Sequence, residues 1–206
     1  MERIETVIIG GGQAGLATSY ALSRLGREHV VLEQAAQVAS AWRTGRWDSF
    51  TLVTPNWSVR MPGAPYDGPD RDGFMPRDEV VAAFEQYVAR FELPVRYNTR
   101  VVAVEPVDAG GYRVRTDEGS IAATNVVVAT GLEQLPRIPA LAGGLAPEIT
   151  QLHSSAYRNP AALPGGGVLV VGTAQSGCQI AEELYQSGRS VYLCTGSAGR
   201  APRRYR

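Results

Sequence analysis

A glycine-punctuated junction between a strand and a helix constrains this chain more than any other feature. Thr6-Val7-Ile8-Ile9 is a short apolar run, Gly10-Gly11-Gly12-Gln13-Ala14-Gly15 breaks it, and from Leu16 to Leu25 the apolar spacing turns helical, closed by Gly26 as a C-cap. A strand that feeds G-x-G-x-x-G and opens a helix gathers backbone N–H groups and the positive end of the helix dipole at one point, where a pyrophosphate can sit. Gly10 is expected to make the tight turn and Gly12 to allow close approach, with Gln13 and Ala14 on the same turn and Gly15 letting the helix pack on the strand. The next apolar strand, Val30-Val31-Leu32, ends at Glu33, eighteen residues beyond Gly15. An acidic side chain at that place accepts hydrogen bonds from adenosine ribose hydroxyls. We read the first forty residues as an FAD site.

The same unit occurs twice. A shift of 162 residues lays Gly10 on Gly172, Gln13 on Gln175, Gly15 on Gly177, Leu22 on Leu184, Gly26 on Gly188 and Arg27 on Arg189 without a gap. The second turn reads Gly172-Thr173-Ala174-Gln175-Ser176-Gly177, so Ala174 replaces Gly12, and Thr195 replaces Glu33. A carboxylate at that strand end repels a 2′-phosphate, whereas a neutral hydroxyl with guanidinium groups nearby accepts one. Arg200, Arg203 and Arg204 follow, and the second site therefore reads as NADPH rather than NADH. The competing reading of these arginines is a solvated basic tail.

The fold class expected is α/β, with two Rossmann-like units: an FAD-binding domain over residues 1–140 and the start of an NADPH-binding domain over residues 141–206. Residues 35–77 lose regularity in a stretch rich in Trp, Pro, Gly and Asp, long enough to be a functional loop. Asp78 is expected to N-cap a helix running to about Phe91, with Val81, Phe84, Tyr87 and Val88 on one face. Residues 101–107 and 112–116 alternate like antiparallel strands turned at Gly110-Gly111, and Val126-Val127-Val128 reads as a buried strand. Residues 136–164 are a proline-studded linker. The second unit holds one strand, one helix and a second strand before Arg206, too little to cover both faces of a doubly wound sheet, so the stretch reads as the N-terminal part of a longer protein.

Composition narrows the partners. Twenty basic residues balance twenty acidic ones, so no overall field draws the chain to nucleic acid or anionic lipid. No apolar run approaches the eighteen residues of a membrane span and the N-terminus carries no secretory signal, so the expected location is cytoplasmic. The only cysteines, Cys178 and Cys194, show no CxxC and no metal-ligand spacing. That removes a disulfide framework and a zinc site, and it weighs against a disulfide reductase, which needs a cysteine pair near its flavin. Cys178 is expected to be small buried filler.

Taken in order, GGGQAG, Glu33, Trp42, Ala129-Thr130-Gly131, the segment from His153 to Tyr157, and GTAQSG resemble the flavin-containing monooxygenases and their bacterial flavoprotein relatives, over essentially the whole chain. Of that family's pattern F-x-G-x-x-x-H-x-x-x-(F/Y), His153 and Tyr157 match, while Pro147 and Ile149 stand where it has Phe and Gly. Baeyer–Villiger enzymes want Trp at position 157. The resemblance implies that NADPH reduces FAD, that oxygen adds at the flavin C4a position, and that the hydroperoxide passes one oxygen atom to a nitrogen, sulfur or carbonyl carbon of a small-molecule substrate. It also adds Gln34, Val102, Thr130 and Gly131 to the cofactor contacts and allows a homodimer. Asn56 is either the amide facing flavin and nicotinamide or an ordinary turn residue after Pro55. Trp42 lies near the isoalloxazine or packs in the core. His153 shapes the NADPH entry or caps a loop. The alternative to an oxygenase is an NADPH-reducible flavoprotein that serves as a reductase or redox sensor.

Overall fold

The computed structural model describes residues 1–108, 110–132 and 135–196. Strand β1 (Glu2–Ile9) stops at the glycine turn, helix α1 (Gln13–Arg24) begins directly after Gly12, and β2 (His29–Leu32) returns parallel to β1. Leu25 takes the C-cap position of α1, one residue earlier than the Gly26 assigned from sequence, and Gly26 follows it with a φ of 64°. The irregular stretch then carries one short helix, α2 (Ser40–Thr44), a 3-10 turn at Asn56–Ser58, and a two-residue hairpin of β3 (Arg60–Met61) and β4 (Ala64–Pro65).

Helix α3 (Arg77–Arg90) buries Val80, Val81, Phe84 and Tyr87, with Val88 half-buried beside them. These side chains pack against Leu16 of α1, Val38, Met61 and Met75. Each large apolar side chain buried in this way contributes about 1.5–3 kcal/mol. Asp78 does not cap α3. Pro76 does, because the chain before it is held extended by a bridge between Thr51 and Pro76, with Arg77 N donating to Phe50 O at 2.9 Å. Asp78 and Glu79 instead occupy the first turn, where their charge meets the positive end of the helix dipole.

Strands β5 (Val95–Arg96), β6 (Val101–Pro106), β7 (Tyr112–Thr116) and β8 (Ser120–Val128) complete a six-stranded sheet ordered β5-β2-β1-β8-β7-β6. The first four strands in that order run parallel, and β7 and β6 turn back antiparallel. The hairpin at Gly110-Gly111 is where the alternation placed it. The burial assigned to residues 126–128 is not: Val126 and Val127 are half-buried and Val128 is 69% exposed. The reason is the register, since β7 pairs with β8 only over Ser120–Ala123, leaving the last turn of the strand paired to β1 alone.

Past the linker, β9 (Val168–Val171), α4 (Gln175–Gln186) and β10 (Val191–Cys194) form a second β-α-β unit whose strands are parallel. Among the described residues its sheet shares no strand pairing with the first. Helix α4 buries Ile180, Ala181 and Leu184. Cys178 lies off that stripe and is exposed, its Sγ donating to Thr173 O at 3.3 Å, so it is not buried filler. No described helix is long and apolar enough to cross a membrane.

Candidate functional site

The first glycine turn is built from close approaches. Gly10 has a φ of 109°, and a Cβ there would lie 2.6 Å from Ala129 O, so neither conformation nor space admits a side chain. A Cβ on Gly15 would fall 2.0 Å from Gly10 O, which is how tightly α1 sits on the end of β1. Gly12 is the opposite case: among the described residues no atom comes within 4 Å of where its Cβ would be. The first intrahelical bond of α1 runs from Leu16 N to Gly12 O at 2.9 Å. The N–H groups of Gln13, Ala14 and Gly15, in the first turn of α1, therefore have no intrahelical acceptor. That cradle suits a dianionic pyrophosphate.

Glu33 closes one side of it. The residue is 6% exposed, and its two carboxylate oxygens accept from Gly11 N at 2.8 Å and Ala35 N at 2.9 Å. Each oxygen keeps further lone-pair capacity, so a fixed carboxylate can take hydroxyl donors of a ribose. Gln34, next along, is exposed. Thr99 N donates to Glu33 O at 2.9 Å, which brings the start of β6 to the same strand end. Val102 follows within a register shift between Val101 and Ala103 and is exposed; such bulges re-aim side chains beside binding sites. Ala129 N donates to Ile9 O at 2.8 Å, and Thr130 Cα lies 3.3 Å from the Cβ position of Gly10, so Thr130 lies directly on the turn, with Gly131 next along the chain.

Asn56 is 3% exposed inside the 3-10 turn. Its Nδ2 donates to Asp70 O at 2.8 Å and its N to Gly73 O at 2.9 Å, while Oδ1 is buried with no partner among the described residues. An orphaned buried acceptor costs about 1–3 kcal/mol, which a donor from a bound molecule recovers. Trp42 on α2 is half-buried, with its ring 5.6 Å from that of Phe50 and the Arg46 guanidinium 5.3 Å above it. It packs against two core clusters, so core packing is part of what it does.

The second turn repeats the first. Gly172 has a φ of 106°, a Cβ on Gly177 would fall 1.9 Å from Gly172 O, and Gly172 N donates to Cys194 O at 3.0 Å where Gly10 N donates to Leu32 O at 2.9 Å. Ala174 is the N-cap of α4, with Gln175, Ser176 and Gly177 as its first turn. Thr195 follows β10 directly and is exposed. Arg200, Arg203 and Arg204 lie outside the described residues. His153 accepts from Ser155 N at 3.2 Å through Nδ1, with Ser155 Oγ 2.9 Å from the same nitrogen, which ties the ring to its own loop.

Sequence reasoning missed the joint between the units. Trp47, Phe50 and Tyr157 are buried against Ile180 and Leu184 of α4, and the Tyr157 hydroxyl donates to Glu183 Oε2 at 2.7 Å. Burial, and then the Glu183 carboxylate, push the Tyr157 pKa upward and keep its proton in place. The nearest sequence signal was the aromatic spacing of Trp42, Trp47 and Phe50, which has neither helical nor strand period.

A family model described as pyridine nucleotide-disulphide oxidoreductase matches residues 7–206. An oxidoreductase from Geobacillus kaustophilus, described as uncharacterised and CzcO-like, is 39% identical over 94% of this chain and 54% of its own length. A probable indole-3-pyruvate monooxygenase of Arabidopsis thaliana, YUCCA4, is 33% identical over 86% of this chain and 43% of its own. Among solved structures, a flavin-containing monooxygenase from Stenotrophomonas maltophilia superposes with a TM-score of 0.85 at 32% identity, covering 96% of this chain and 59% of that one. The chain thus spans about half the length of the curated relatives it matches.

Proposed function

As the chain belongs to the pyridine nucleotide-disulphide oxidoreductase family, we propose that it works in a FAD- and NADPH-dependent flavin monooxygenase that inserts one oxygen atom from O2 into a small-molecule nucleophile. The observation that carries the reading is the pair of glycine turns with matching close approaches, one with a pinned carboxylate at its strand end and one with a hydroxyl. Residues 1–140 form the FAD-binding part and residues 141–206 begin the NADPH-binding part. FAD, when bound, supplies the hydride acceptor and the centre at which dioxygen is activated.

The chain's own residues bind and enclose. The N–H groups of Gln13, Ala14 and Gly15 hold the FAD pyrophosphate over the open side of Gly12, Glu33 takes the ribose hydroxyls, and Gln34, Val102, Thr130 and Gly131 border the cofactor. The unpaired Oδ1 of Asn56 accepts a hydrogen bond from the flavin or from the nicotinamide carboxamide. Trp42, backed by Phe50, excludes water from that side. The turn formed by Gly172, Ala174, Gln175, Ser176 and Gly177 holds the NADPH pyrophosphate, with Thr195 and Arg200 at its 2′-phosphate and His153 shaping the loop beside it. Within this stretch the two cysteines, Cys178 and Cys194, both belong to the second unit and put no cysteine pair beside the first glycine turn.

The test is to purify the intact natural polypeptide, release and identify its flavin, and mix it anaerobically with NADPH. FAD is expected, with rapid bleaching of its visible band, followed by oxygen consumption that yields an oxygenated product. A colourless protein that binds no flavin sinks the reading. Bleaching without any oxygenated product leaves a reductase or sensor.

A further inference from the structure

Two nucleotide cradles that share no sheet need something else to set their relative orientation, and the described residues show what does. Trp47 and Phe50 of the first unit are wedged against Tyr157 and α4. Around this apolar contact runs a belt of hydrogen bonds. Arg158 donates through its guanidinium to Thr44 O, 114 residues away in sequence, and to Ser155 O and Tyr157 O at 2.8 and 2.7 Å. Asp48 answers from the other side: its N–H donates to Arg158 O at 2.8 Å, and its carboxylate accepts from Asn159 Nδ2 at 2.7 Å and Arg77 Nη1 at 3.1 Å. Arg77 is the first residue of α3, so the belt ties the linker to a helix packed in the core of the first unit.

We propose that Arg158 and Asp48 are positioning residues that clamp the linker onto residues 44–50 and so fix where the nicotinamide end of a nucleotide seated on Gly172–Gly177 meets the flavin. The proposal rests on the reading of the two turns as FAD and NADPH sites. Its physical basis is leverage. The cradle is the N-terminal end of α4, and the joint grips the same helix further along, at Ile180, Glu183 and Leu184. A small rotation at the joint becomes a displacement at the reacting atoms, and about 1 Å of misplacement there costs up to about 100-fold in rate. Affinity is much less sensitive, because the pyrophosphate contacts travel with α4.

The experiment uses the intact natural polypeptide with Arg158→Ala and Asp48→Ala, the latter at a half-exposed side chain. Anaerobic stopped-flow mixing gives the limiting rate of flavin reduction and the NADPH dissociation constant separately. The limiting rate is expected to fall by about 10- to 100-fold, with the dissociation constant changed by no more than about threefold. The exchange Asp48→Asn with Asn159→Asp keeps an amide facing a carboxylate and restores most of the rate. A second readout needs no nucleotide: spin labels on Gln86→Cys of α3 and Tyr185→Cys of α4, both exposed, in a background with Cys178→Ser and Cys194→Ser. The distance distribution should be narrow in the parent and broad in Arg158→Ala. An unchanged distribution overturns the clamp, whatever happens to the rate. If NADPH fails to reduce the parent flavin, the cofactor reading falls and the labels still decide whether the clamp exists.

Discussion

The two β-α-β units share a backbone and differ in what surrounds it. In both, the helix starts three residues after a positive-φ glycine, and the glycine N–H closes on the end of the second strand, at 2.9 Å in the first and 3.0 Å in the second. In the first, β8 runs alongside, so that Ala129 O fills the space beside Gly10, whereas no described atom lies within 4 Å of the corresponding place at Gly172. In the first, Glu33 reaches back to Gly11 N, and in the second the equivalent residue is Thr195. The turn is thus set by its own glycines, and the two units differ in one residue at a strand end and in what neighbouring segments add.

The strongest way to break this comparison is to fill the closest approaches. Gly15→Ala and Gly177→Ala each press a methyl group into a backbone oxygen, at 2.0 and 1.9 Å, which costs about 1–3 kcal/mol or more. Gly15→Ala should lose flavin and melt early, and Gly177→Ala should stay yellow but no longer bleach with NADPH. Equal loss of flavin in both would show that the units do not serve separate nucleotides. Next in size is Gly12→Val, whose side chain meets no described residue at its Cβ and should abolish flavin binding without lowering the melting temperature of the apoprotein. Gly111→Val, at a φ of 81° and with its Cβ 2.5 Å from Ala123 O, should do the reverse, costing about 1–3 kcal/mol of stability while colour is retained. A Gly12→Val protein as yellow as its parent removes the cradle from the binding site.

Smaller effects sharpen the contrast between the two strand ends. Glu33→Ala should weaken FAD binding by about 1.5–3 kcal/mol, the usual worth of a hydrogen bond to a charged group. Titration of apoprotein with FAD measures it, and an unchanged affinity moves the ribose contact elsewhere. The parent should prefer NADPH over NADH by about ten- to a hundredfold, or about 1.4–2.8 kcal/mol, and Thr195→Glu should erase that preference mainly through apparent affinity. Equal reduction by both nucleotides in the parent returns the basic cluster to plain surface.

The smallest effect is the one that pH has on the stability of the joint. Hydrogen bonds from Asn159 and then Arg77 hold the Asp48 carboxyl below the usual aspartate range. Its stabilisation is therefore present above the unfolded-state pKa, about 3.9, and is lost as pH falls through the lower folded value. Because the side chain is half exposed, solvent screening limits the contribution to about 0.5 kcal/mol. Melting curves from pH 6 to pH 3 should show the parent losing slightly more stability than Asp48→Asn, and parallel curves would remove Asp48 from the balance.

What the sequence revealed follows from the range over which each signal acts. The glycine turns, α1, the hairpin at Gly110-Gly111 and the repeat were legible because each depends on residues within one supersecondary unit. Asp78 was misassigned because the extended path before Pro76 is imposed by Thr51, distant in sequence. Val128 was misassigned because its composition fits a buried strand while its register leaves it one partner. Arg158 and Asp48 carried no motif at all, since their meeting depends on a contact across more than a hundred residues that no periodicity encodes.

The empty space beside Gly12 separates two kinds of selective pressure. A random library screened only for folded protein should discard changes at Gly10 and Gly15 and let Gly12 drift, because no described residue opposes a side chain there. The same library screened for colour should recover glycine, or at most alanine as at Ala174, at position 12. The difference between those two frequency profiles, residue by residue, marks which positions answer to the chain's own stability and which answer to its guest.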